Sequence, residues 1–70
     1  MNVNWSALVL MLRRYHAPYK RIAELVGCDQ RALTNLSRGM VVEPKFKQGA
    51  KLLALAHQYL PAEIFHQVTR

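Results

Sequence analysis

An all-α protein, a compact bundle of four to five short helices, is what three features of this sequence predict. Apolar residues recur every three to four positions along nearly the whole chain. Alternating apolar and polar residues never run to five, and the Val41-Val42 pair is too short for a strand. Three prolines, Pro18, Pro44 and Pro61, stand where apolar-periodic stretches begin, and at a helix start the missing N–H costs nothing.

The first helix is read from Trp5, Leu8, Val9 and Leu12, which share one face, with Asn4 as its N-cap. His16-Ala17-Pro18 should end it, because a residue before proline is pushed out of helical geometry. A second helix opens at Pro18 with Tyr19, Ile22, Ala23 and Val26 as its apolar stripe. Gly27 closes it by supplying a positive φ. Asp29 is placed to cap a third helix, its charge at the positive end of the helix dipole. There Ala32, Leu33 and Leu36 face inward, Gln30, Arg31, Thr34 and Asn35 outward, and Arg38 and Gly39 lie at the end.

A loop follows, and Pro44 opens a fourth helix through about Tyr59. Phe46, Ala50, Leu53, Ala56 and Leu60 are assigned to its buried face, widened by Leu52, Leu55 and Tyr59. Gly49 is a place where this helix could break, so the count stays at four or five. Pro61 starts a last short helix with Ile64, Phe65 and Val68 apolar; two turns are unstable alone and must dock on something.

Composition narrows the function. The 70 residues suit a single domain of residues 1–70, and so short a chain argues against an enzyme. Apolar residues make up 51% and charged residues 20%, as in a globular protein. One cysteine, Cys28, allows no intrachain disulfide and suggests a reducing, cytoplasmic compartment. No apolar run is long enough for a membrane span. Met1 to Leu12 has no basic residue ahead of its apolar run, which argues against a secretory leader. His16, His57, His66 and Cys28 have no metal-ligand spacing, so neither a metal nor another cofactor is expected.

The charge is unevenly placed. Of ten Lys and Arg residues, nine lie between Arg13 and Lys51 with three acids among them, so that segment carries the whole net charge of +6. A basic middle with neutral ends is the electrostatic footprint of a polyanion binder. Trp5, Tyr15 and Tyr19 could form a base-stacking platform for single strands, but the helical spacing of Trp5 assigns it to packing.

Residues 19–38 meet a demanding set of requirements in one frame. Two helices of about eight residues flank a tight turn, Val26-Gly27-Cys28-Asp29. Ala23 is small where the helices would cross, Gly27 tolerates the turn, and Cys28 plugs it. Ile22, Val26, Leu33 and Leu36 are apolar anchors beneath. The run Tyr19-Lys-Arg-Ile-Ala-Glu-Leu-Val-Gly-Cys-Asp-Gln-Arg-Ala-Leu-Thr-Asn-Leu-Ser-Arg-Gly39 resembles the helix-turn-helix of the phage lambda repressor/Cro family, with the likeness extending from Trp5 to about Leu60.

The resemblance implies a domain that lays the second helix of the motif in the major groove of operator DNA, usually as a two-fold dimer. It places Gln30, Arg31, Thr34 and Asn35 at base edges, and Tyr19 and Arg38 at phosphates. The chemistry suits this: Gln pairs with adenine N6 and N7, Arg with guanine O6 and N7, while Lys20, Lys45 and Lys47 suit phosphates. Asp29 departs from the pattern, being an acid where Ser or Gly is usual, and its charge is expected to be satisfied as an N-cap.

The expected function is therefore a sequence-specific double-stranded DNA-binding regulator, a Cro-like phage or prophage repressor working in the bacterial cytoplasm at the nucleoid. A homodimer through Tyr59, Ile64, Phe65 and Val68 is one reading of the tail, and packing on its own chain is the other. The rival functions are a small protein-binding module that inhibits a partner protein, and an antitoxin.

Overall fold

The computed structural model describes residues 3–70, so the first two residues of the Met1–Leu12 stretch lie outside it. Five helices account for its regular structure: α1 (Trp5–Tyr15), α2 (Tyr19–Val26), α3 (Gln30–Ser37), α4 (Phe46–Tyr59) and α5 (Ala62–Thr69). Among the described residues there is no strand, and the fold is the expected all-α bundle.

The ends of α1 and α2 follow from local chemistry. The Asn4 side chain accepts the Ala7 N–H at 3.1 Å, satisfying one of the free donors of the first turn. Pro18 holds the cap position of α2 in extended geometry, one residue outside the helix it was expected to begin. At the other end Gly27 adopts φ +82, and the N–H groups of Gly27 and Cys28 both donate to the Ala23 carbonyl, at 2.8 and 3.0 Å. Only glycine reaches that φ without strain.

The central helix is α1, which packs against all four others. Its Leu8, Val9 and Leu12 are fully buried, as are Ile22 of α2 and Leu52 and Ala56 of α4. Leu33 and Leu36 of α3, Tyr19, Ala23 and Val26 of α2, Leu60 and Val68 complete the core, and among the described residues no polar or charged residue is buried. Two cross-links bind α1 to distant segments: the Asn4 N–H donates to the Val68 carbonyl at 2.7 Å, and the Ser6 hydroxyl to the Ser37 carbonyl at 2.7 Å.

Helix α4 runs unbroken through Gly49, and its buried face differs from the expected one. Phe46 is 90% exposed and Ala50 is exposed, whereas Gly49, Leu52 and Ala56 are buried. The cause is Gly49: a Cβ there would lie 3.2 Å from both the Trp5 ring and the Pro44 ring. Its bare backbone lets Trp5 close in, and this docks α4 by the glycine side, turning Phe46 away from the core. Residue hydrophobicity alone could not show that the smallest residue would mark the contact line.

Candidate nucleic-acid interface

Helix α3 is clamped from behind and open in front. Leu33 and Leu36 anchor it in the core, and the Ser6 bond to Ser37 holds its last turn against α1. Gly39, at φ +73, ends it, with the Met40 N–H donating to the Asn35 carbonyl at 3.0 Å. On the outer side Gln30, Arg31, Thr34, Asn35, Arg38 and Met40 line one shallow depression. The four residues expected at base edges thus lie together, joined by Arg38. Gln30, Arg31 and Arg38 are exposed, and Thr34 and Asn35 are half-buried.

The hydrogen-bonding state of this face matters more than its exposure. The Thr34 hydroxyl is engaged with the Gln30 carbonyl at 3.2 Å. Among the described residues the side chains of Gln30, Arg31, Asn35 and Arg38 make no hydrogen bond or ion pair. Amide and guanidinium groups held on a rigid helix with their donors unspent can bind an external partner with matching acceptors. The one ion pair among the described residues, Arg21–Glu24 at 3.4 Å, lies elsewhere and is well exposed, so the positive field is little neutralised from within.

Several expected contacts are placed differently. Tyr19 is not available to a phosphate: it is 8% exposed, its hydroxyl is enclosed without a partner, and the Arg13 guanidinium lies 5.2 Å from its ring centroid. The apolar stripe of α2 begins at this residue, and packing claims the ring. Lys20 and Lys47 are exposed, whereas Lys45 lines a different groove, beside Trp5 and Phe46. Asp29 takes the cap geometry of α3, φ −77 and ψ 148, but its carboxylate makes no capping bond. An unsatisfied negative charge therefore stands at the head of the exposed α3 face.

The residues expected at a dimer surface divide between surface and core, with Tyr59 41% exposed. Val68 is buried in the core of its own chain and its carbonyl is bonded to Asn4. Ile64 and Phe65 are half-buried against that core. Tyr59 stacks on His16 with ring centroids 3.7 Å apart. The tail packs on its own chain, because an apolar stripe on two turns finds α1 and α4 within reach.

Two residues at the site escaped the sequence reading. Met40, 70% exposed, walls the depression over α3. Lys51 of α4 brings its Nζ to the α2–α3 turn, 3.9 Å from where a Gly27 Cβ would lie. A cation there suits the negative end of α2, and a contact between residues so far apart in the chain leaves no local signal. Burial pushes the Cys28 thiol above its ordinary pKa and the adjacent Asp29 charge adds to this, which disfavours the thiolate that a nucleophile would need. Among the described residues no group of three or more metal-ligating side chains forms and no helix is long and apolar enough to cross a membrane.

Comparison of the chain with protein-family models, with curated proteins and with solved structures finds no match. The functional reading rests on the geometry of this face.

Proposed function

We propose that the chain is a sequence-specific double-stranded DNA-binding regulator that inserts α3 into the major groove and acts as a homodimer at a near-palindromic site. The observation that carries this reading is the row of unspent hydrogen-bonding groups on Gln30, Arg31, Asn35 and Arg38 along the open side of a helix fixed from behind. Gln30 and Arg31, in the first turn, are the base readers, since a helix entering the groove presents its first residues to base edges. Arg38 and Lys20 neutralise phosphates and set the register without reading sequence. The net charge of +6 draws the chain to DNA from a distance.

The test is selection from random duplexes followed by mobility-shift titration of the winners at several salt concentrations. The expected result is a preferred sequence with dyad symmetry, and affinity that falls steeply as salt rises because bound counterions are released. If no sequence competes better than random DNA at any salt concentration, operator recognition is wrong. The basic face would then belong to a protein-binding module or an antitoxin, which co-purification with an acidic partner would reveal.

A further inference from the structure

Between the start of α1 and the start of α4 lies a groove of about 510 Å³ that the DNA reading does not use. Trp5 and Leu53 give it apolar walls, and Gly49, on which the Trp5 ring rests, lies at its floor. Phe46 stands at its edge and is 90% exposed. The loop leading to it adds Val42 at 82% and Met40 at 70%. Single exposed apolar residues are ordinary, but an aromatic ring this exposed at the edge of an apolar groove suits an interaction surface.

We infer that this surface is the homodimer interface, with Phe46 of each copy seated in the groove of the other. Two features select a second copy as the occupant. First, the face carries both a protruding aromatic ring and a slot roomy enough to accept one, as a self-complementary two-fold contact requires. Second, Glu43 and Lys45 line the same groove, and neither forms an ion pair among the described residues. Across a two-fold axis Glu43 of one copy meets Lys45 of the other, twice over. A purely acidic or purely basic peptide would satisfy one of these charges and oppose the other.

The location also suits the proposed function. No residue that lines the groove also lines the depression over α3, so pairing through the groove does not use the residues of the proposed DNA face. A standard interface covers about 800 Å² on each partner, about a sixth of this chain's 4880 Å². A patch built on one loop and one groove is expected at the small end of that range, so the dimer should be weak alone and tighten on a shared duplex. This inference locates the homodimer of the reading above. Its test is run without DNA, so a failure here leaves operator recognition to its own titration.

The experiment is sedimentation of the full chain from micromolar to millimolar concentration. The expected outcome is a concentration-dependent rise to twice the chain mass. Phe46→Ala should raise the dimer dissociation constant at least tenfold while the far-ultraviolet helix signal stays unchanged, because the ring touches little of its own fold. Glu43→Lys alone should weaken the dimer, and Glu43→Lys combined with Lys45→Glu should recover most of the loss. A chain that stays monomeric at millimolar concentration overturns the inference. So does a dimer indifferent to Phe46→Ala, or a double exchange no better than the single one.

Discussion

Arg31 in the first turn of α3 and Lys20 in the first turn of α2 are both exposed cations, yet their loss should read differently. Arg31→Ala removes a planar fork that can hold guanine O6 and N7 together, so one position of the selected site should lose its base preference by about ten- to a hundredfold. Lys20→Ala removes a point charge and should weaken every duplex alike, with the salt dependence shallower by about one ion. Competition titrations with single-position variants of the site separate the two; equal weakening of all sites by Arg31→Ala would make it a phosphate contact. Asp29 gives the opposite test. Its carboxylate caps nothing and stands at the head of α3, so Asp29→Asn should raise affinity for specific and random DNA together. Filter binding at low and high salt would register this as a gain that shrinks with ionic strength.

At the scale of the helices, the position of α3 depends on a hydroxyl in α1. Ser6 and Ser37 are 31 residues apart, and their 2.7 Å bond is half-buried. Ser6→Ala leaves the Ser37 carbonyl without that donor and should cost about 1–2 kcal/mol in thermal unfolding. Hydrogen exchange should rise in the last turn of α3 more than in α2. Uniform exchange across both helices would deny the bond its local role. This link also shows where legibility stopped. The spacing of Leu8, Leu12, Ile22, Leu33 and Leu36 and the turn glycine Gly27 made α1, α2 and α3 readable, since periodicity and positive φ are local properties. The face of α4, the partner of Ser6 and the approach of Lys51 to the turn depend on contacts between distant segments. Phe46 was misplaced inside because hydrophobicity records a preference for burial, while Gly49 decided which side could approach Trp5. Gln30 and Arg31 were readable as an outward pair, but Tyr19 was assigned to phosphate although its ring serves the core.

For the molecule as a whole, smallness governs both stability and reach. The chain retains 4880 Å² of exposed surface against roughly 11,700 Å² expected for its extended form, a burial near 60%. Typical stability for this length is only about 3–10 kcal/mol. Leu8→Ala, at the contact of the central helix with its neighbours, should cost about 2–5 kcal/mol, enough to leave the domain largely unfolded at 37 °C. Circular dichroism against temperature would show it, and an unshifted midpoint would mean that the core does not centre on α1. Reach is limited in the same way. The longest extent is 28 Å, shorter than the ~34 Å between successive turns of one DNA face. On the proposed DNA reading one copy would therefore address a single half-site, and discrimination over a longer sequence would need two.

The bond between Asn4 and Val68 brings the beginning and end of the fold to within one hydrogen bond of each other. A short peptide splice could therefore close the backbone into a ring with little distortion. Such closure would tie the two extremities together and narrow the freedom of the denatured chain.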